Sequence, residues 1–196
     1  MKLLNLFDYE KAAAGVMHPP SYAYYAGGVA ENITRTENRR AFERIMLRPK
    51  MLRDVSQIDT STTIMGIDSS MPVMIAPAAM HTLAHPDGEM GMARAAKEAG
   101  IIQVLSTMST FSVDEVASVG HNLWFQLYVF REREITEMLV KRAEAAGCQA
   151  LVVTLDVPTP GLRENLIRAG FSTPNMPFPN FTIPDESASH QLFHHA

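Results

Sequence analysis

The chain has 196 residues, 46% of them hydrophobic, enough to bury a sizeable core, and 21 acidic against 17 basic residues leave a net charge of -4. That balance, with no basic stripe interleaved with aromatics, excludes nucleic acid and anionic membranes as expected partners, and no apolar run is long enough to span a bilayer. The single cysteine, Cys148, cannot form an internal disulfide and reads as a small buried hydrophobe; with acidic residues too early in Met1–Glu10 for a signal-peptide core, a cytoplasmic compartment is expected.

In chain order, a short helix around Phe7–Val16 is expected to stop at Pro19-Pro20. Tyr22, Tyr24 and Tyr25 precede the pair Gly27-Gly28 and read as an aromatic corner before a tight backbone turn. A helix from Asn32 or Thr34 to Ile45 comes next, ended by Arg48-Pro49, with Phe42, Ile45 and Met46 as its packed face. Thr62–Met65, broken at Gly66-Ile67-Asp68, reads as a small hairpin.

From Val73 the chain alternates strand and helix. A strand at Val73–Ala76 ends at Pro77, and a helix Gly88–Ala99 is closed by Gly100. A strand Ile101–Leu105 leads to Ser112-Val113-Asp114-Glu115, a capping box in which serine and glutamate each satisfy an orphan backbone donor, opening a helix to Val119. A strand Trp124–Val129, a helix Arg133–Ala146 closed by Gly147, and a strand Ala150–Leu155 complete four passes, which argue for a parallel sheet of the α/β class. From Pro158 onward, prolines at 158, 160, 174, 177, 179 and 184 predict a long loop or disordered tail, and the histidines at 190, 194 and 195 lack the acidic or cysteine partners of a metal site.

Ligands of parallel α/β proteins bind beyond the C-terminal ends of the strands. Those ends hold Pro77-Ala78-Ala79, Ser106-Thr107-Met108, Gln126 with Tyr128, and Thr154 with Asp156. Taken singly, each polar residue reads as a strand-end cap. As a set, Ser106, Gln126 and Thr154 would present hydrogen-bonding groups to one planar ligand, beside a small apolar loop.

The motifs Tyr22–Gly28, Glu37–Phe42, Met71–Pro77, Leu83–Glu89, Phe125–Tyr128 and Leu155–Pro158 closely resemble, in the same order, the FMN-dependent 2-hydroxy acid oxidases, the family of glycolate oxidase, lactate oxidase and the flavocytochrome lactate dehydrogenases. The resemblance runs to about Phe171 and implies the N-terminal half of a (β/α)8 TIM barrel: residues 1–72 as helices, tyrosine turn and hairpin, 73–157 as the half barrel, 158–196 as a Pro-rich loop and tail. It implies FMN as cofactor, a small 2-hydroxy acid as substrate, oxygen as electron acceptor and a homo-oligomeric full-length form. Peroxisomal delivery would be written at a C-terminus beyond this chain.

By the same resemblance Pro77, Ala78 and Ala79 would lie against the isoalloxazine, with Ser106, Gln126 and Thr154 on its polar edge. Tyr24 would donate to the substrate carboxylate, Tyr128 would stabilise charge at the substrate oxygen, and Arg163 would approach the substrate from a loop. Met108 and Ala78 replace a tryptophan and a threonine of plant glycolate oxidases, implying a wider, more apolar pocket and a lactate-like substrate. Glu164–Arg168 departs from the family's acidic pattern.

The family's flavin-binding lysine, general-base histidine, substrate-clamping arginine and phosphate site are absent from this chain, and the histidines at 190–195 lack the strand-end setting of the family's base. A half barrel is expected to leave two strand edges open and its hydrophobic interior exposed. Two other readings stand beside the oxidase: a truncated, catalytically inactive fragment with at most weak FMN binding, and another FMN barrel of the isoprenoid isomerase kind, whose substrate would need basic phosphate contacts not found here.

Overall fold

The computed structural model describes residues 2–156, 161–173, 175–176 and 178–181. The chain divides into a helical unit, residues 2–58 with 161–173, and a sheet unit, residues 59–156 with 175–176 and 178–181. The hairpin, grouped by sequence with the N-terminal helices, clusters instead with the sheet.

The helical unit begins with α1, Leu6–Val16, whose N-cap Asn5 accepts from the backbone N–H groups of Phe7 and Asp8. Pro19-Pro20 does more than stop this helix. The pair occupies the first positions of a second helix, α2, Pro19–Ala26, where a fixed φ is pre-organised and no N–H is needed. The three tyrosines therefore sit on a helix rather than at a corner. Gly27-Gly28 is required by close approach, not by left-handed backbone: a Cβ on Gly27 would lie 2.7 Å from the Ala23 carbonyl oxygen, and one on Gly28 2.6 Å from Asn32 Oδ1.

Helix α3, Ile33–Glu43, ends earlier than expected, and its anticipated packed face is open: Phe42, Ile45 and Met46 are 75%, 65% and 86% exposed. What ties α3 to α1 is polar, with the Arg39 guanidinium 4.2 Å from the Phe7 ring centroid and Arg35 3.5 Å from Glu10. Within the expected long loop, Glu164–Arg168 forms a short helix held by an i,i+4 ion pair between those two residues, with Gly170 beyond it at φ 68. Five residues show too little periodicity to stand out among prolines. The tail histidines lie outside the described residues.

The sheet unit opens with the expected hairpin, β1 Thr62–Ile64 and β2 Ile67–Ser69, antiparallel with Ile64 opposite Ile67. Its two-residue turn, Met65-Gly66, has positive φ at both positions (51 and 83), matching the twist of the paired strands. The strand expected at Val73–Ala76 is reduced to one parallel bridge, where Ile75 N–H donates to the Ile102 carbonyl and Val104 N–H donates to the Ile75 carbonyl, each at 2.9 Å. Flanking prolines 72 and 77 have no donor to extend it.

Helix α4, Gly88–Ala99, closes at Gly100 with φ 66, and leads to β3, Gln103–Leu105. The capping box of Ser112 and Glu115 is formed in full and opens α5, Val113–Val119. Next come β4, Leu123–Tyr128, α6, Arg133–Ala145, and β5, Leu151–Thr154. The three strands are parallel in sequential order, with Leu105 opposite Phe125, Phe125 opposite Leu151 and Tyr128 opposite Thr154.

Alternation along these strands divides the core into two clusters. Leu105, Leu123, Phe125 and Leu127 pack with Ala93 of α4, Val113 and Val116 of α5, and Leu139 and Ala143 of α6. Burying one such large side chain stabilises by about 1.5–3 kcal/mol. On the other face Ile102, Val104 and Trp124 pack with Ile64 and Ile67 of the hairpin, Met74, Ala150 and Val152. The expected exposed interior is thus covered where Val104 and Trp124 stand. Exposed strand apolars lie instead on the helix-facing side of β5, where Leu151 and Val153 are 39% and 46% exposed.

Candidate active site

At the C-terminal end of the sheet, the polar residues singled out in the sequence meet around one side chain. Gln126, on β4 and 2% exposed, accepts at Oε1 from the Thr107 backbone N–H at 3.1 Å and from the Ser106 hydroxyl at 3.3 Å. Because a backbone N–H can only donate, this contact fixes the orientation of the amide and turns Nε2 to Thr154 Oγ1, at 2.9 Å. Thr107 also donates its hydroxyl to the Gln126 carbonyl, and Ser106 Oγ accepts from the Met108 N–H at 3.1 Å. The ends of β3, β4 and β5 are thereby tied through one amide.

This network leaves donors unspent. The second Nε2 hydrogen of Gln126 and the Thr154 hydroxyl hydrogen are uncommitted within these bonds, so the cluster offers donors to an acceptor-bearing edge. Tyr128, two residues beyond Gln126 on the same strand and directly across from Thr154, is partly buried. Its phenol belongs to the same face by the two-residue period of a strand.

Pro77-Ala78-Ala79 leaves the Ile75 bridge, and the adjoining Met80 N–H donates to the Met108 carbonyl at 3.1 Å, so the small-residue loop runs beside the loop after β3. Ala78, Ala79 and Met108 are partly buried rather than sealed in the core.

Two residues to which the sequence assigns no role hold these loops. Glu89, fully buried in the first turn of α4, accepts from His81 N–H and Thr110 N–H, each at 3.0 Å, and from the Thr110 hydroxyl. Asn180, also fully buried, accepts from Val113 N–H at 2.8 Å and donates to the Thr107 carbonyl at 3.1 Å and Ser109 Oγ at 2.8 Å. Thr107 joins the Asn180 contacts to the Gln126 network. Asn180 lies among prolines with nothing local to mark it, and Glu89, although it closes the Leu83–Glu89 motif, stands in the first turn of α4, where an acid needs no tertiary partner to account for it. Burial holds His81 below its ordinary value of 6.5, against the opposing pull of the Glu89 carboxylate.

Tyr24 and Arg163 meet in the helical unit. Arg163 donates to the Tyr24 carbonyl, its guanidinium carbon sits 5.0 Å from the Tyr24 ring centroid, and that ring also stacks on Phe171 at 5.1 Å and 19°. The segment carrying Arg163 is held by Ala30 N–H donating to the Leu162 carbonyl at 3.0 Å. Among the described residues no group of three histidine, cysteine or acidic side chains is placed to hold a metal, and no helix is long and apolar enough to cross a membrane.

Sequential parallel strands with intervening helices and a polar cluster at their C-terminal ends define an α/β protein that binds its ligand beyond the strand ends. Among solved structures, a mandelate oxidase mutant with (S)-mandelic acid has a TM-score of 0.87 at 39% identity, covering 91% of this chain and 54% of that one. The family model described as FMN-dependent dehydrogenase matches residues 13–193. Glycolate oxidase 3 of Arabidopsis thaliana is 49% identical over 175 residues, 89% of this chain and 48% of that protein. Glycolate oxidase of Spinacia oleracea is 47% identical over 175 residues, 89% of this chain and 47% of that protein.

The chain belongs to the FMN-dependent dehydrogenase family, whose members are oxidoreductases with FMN as cofactor. Its fold is the N-terminal half of the family's barrel, and it spans about half the length of the curated relatives it matches.

Proposed function

We propose that this chain supplies the flavin-edge half of an enzyme that oxidises a small 2-hydroxy acid to the 2-oxo acid. The observation that carries this reading is the Gln126 hub on β4, which gathers Ser106 and Thr107 from the end of β3 and Thr154 from the end of β5 and leaves donors for an acceptor. When bound, FMN would supply the two-electron acceptor for this oxidation. Gln126 and Thr154 hold its polar edge, Ser106 orients Gln126, and Pro77, Ala78 and Ala79 offer a flat surface with no side chain beyond a methyl or a pyrrolidine.

The donor set fits such a cofactor: FMN's ring edge presents carbonyl and ring-nitrogen acceptors, and the amide and hydroxyl hydrogens left over here are complementary to them. Tyr128 stands across from Thr154 and is the phenol proposed to stabilise charge on the substrate oxygen. The resemblance further gives Tyr24 as a donor to the substrate carboxylate and Arg163 as a loop residue that approaches the substrate, and within the helical unit these two are paired with each other. Relatives named for glycolate and for mandelate bracket the range of side chains. Met108 and Ala78, one flexible and one small, support a substrate with a side chain larger than glycolate's, of which lactate is the smallest. Oxygen as acceptor rests on the relatives' being named oxidases.

The test is titration of FMN into the purified 196-residue chain, monitored by flavin fluorescence, with Gln126→Leu in parallel. Saturable quenching in the parent chain and its loss in the variant support the reading. Equal weak quenching in both favours a fragment that binds flavin only adventitiously. Anaerobic addition of glycolate, lactate or mandelate to the flavin-loaded chain then reads substrate oxidation as bleaching of the flavin band.

A further inference from the structure

We propose that Glu89 is a positioning residue that couples two cofactor-facing loops, Pro77–His81 and Ser106–Thr110, through one buried carboxylate. The proposal rests on the flavin reading for its consequence, but not for its geometry.

An interior carboxylate is unfavourable unless its lone pairs are met by donors. At Glu89 they are met from two directions. The backbone N–H of His81, eight residues earlier, and the N–H and hydroxyl of Thr110, 21 residues later, converge on its two oxygens. A carboxylate that merely capped α4 would take its donors from the helix's own first turn, where the helix dipole already favours negative charge. These partners all lie outside the helix, one in each loop.

What the carboxylate holds is strained. Met80, between the Pro77–Ala79 shelf and His81, is a buried non-glycine residue in the left-handed region at φ 58, ψ 44. Such a conformation persists only when the surroundings over-determine it. Here its own N–H is fixed to the Met108 carbonyl and the next N–H to Glu89. At the other end the shelf departs from Ile75, bonded on both sides to the segment around β3. Glu89 and Met80 thereby fix the end of the Ala78-Ala79 surface to the loop that follows Ser106. Asn180 also holds the loop after β3, through the Thr107 carbonyl and Ser109, but makes no such bond to the shelf. It provides the control: a residue that stiffens one loop without joining the two.

The experiment measures amide exchange residue by residue and FMN affinity by fluorescence, on the full chain carrying E89A, E89Q, T110V or N180A. Expected for E89A is faster exchange at both His81 and Thr110, by about tenfold or more, with exchange in β3 and β4 unchanged and FMN affinity lowered by about tenfold. E89Q, whose amide oxygen still accepts both N–H groups, should recover most of the protection. T110V should speed exchange at His81 although Thr110 does not bond to it, and N180A should speed exchange at Val113 while leaving His81 protected.

If E89A in a folded chain leaves His81 exchange within about twofold of the parent, the coupling is refuted. Should E89A not fold, T110V decides: unchanged His81 exchange refutes the coupling, and faster exchange supports it. Parent chain that binds no FMN, yet shows the coupled exchange, refutes the flavin reading and leaves the coupling standing.

Discussion

The two units of this chain treat similar side chains in opposite ways. In the sheet unit Phe125, Ile102, Leu105 and Leu139 are at most 1% exposed, whereas in the helical unit Ser21 is the only described residue that is buried, and Phe42, Leu47 and Leu52 are largely open. Both units have amphipathic helices. The difference lies in what faces them, because α4, α5 and α6 have strands to pack on and α3 has polar links to α1. Apolar spacing on a helix reports that a face is available for packing; it does not report that the packing is made within the same unit.

The largest expected effect tests that contrast directly. Phe125→Ala should destabilise the sheet unit by about 3–5 kcal/mol, through lost burial and the cavity left behind, read by urea denaturation monitored through Trp124. Phe42→Ser should change stability by less than about 0.5 kcal/mol and improve solubility. A comparable loss in both variants would break the comparison.

Gln126→Leu comes second in size. It leaves the Thr107 N–H without its acceptor and should cost about 1–3 kcal/mol in stability, with FMN binding lost beyond that, since Thr154 loses its orienting donor too. A variant that retained parent-like FMN affinity would remove the hub from the site.

The pH effect of His81 is smaller and has a definite sign. Its folded value lies below the ordinary 6.5, so the unfolded chain binds the proton more readily. The contribution is therefore present above pH 6.5 and is lost as the pH falls below it. Melting temperature should drop on acidification through that range, and His81→Gln should flatten the drop. A steeper acid loss in the variant would contradict the assignment.

Cys148 should show the least consequence for stability and a clear one for chemistry. Burial, with the Asp114 charge adding to it, pushes its thiol up to about 11 from 9.0, so it carries about a hundredfold less thiolate than an ordinary cysteine at neutral pH. Alkylation should be slow in the folded chain and fast in urea. Rapid labelling under native conditions would place Cys148 outside the packed cluster against which it lies.

Much of the sheet unit was legible because its signals are local. The hairpin turn at Met65-Gly66, the capping box at Ser112 and Glu115 and the stop at Gly100 each depend on residues a few positions apart. The strand ends carrying Ser106, Gln126 and Thr154 emerged from the same alternation, and a parallel sheet then brings successive ends together. Less legible were Pro19-Pro20, which stop one helix and start the next, and the five-residue helix at Glu164–Arg168. A proline is compatible with both a stop and a start, and the outcome turns on whether the residues after it can continue a helix.

By itself, then, the sequence determined the order of elements, the identity of the polar residues at the strand ends and the family to which they belong. Only the tertiary structure decided that Ile75 contributes a single bridge, that Trp124 is covered while Leu151 is not, that the α3 face stays open, and that Glu89 and Asn180 are buried clamps on the loops of the site. The physical reason is range. Turns, caps and strand periods are set by bonds between near neighbours, whereas burial and the partners of a carboxylate or an amide are set by segments as many as 73 positions apart, which no local pattern encodes.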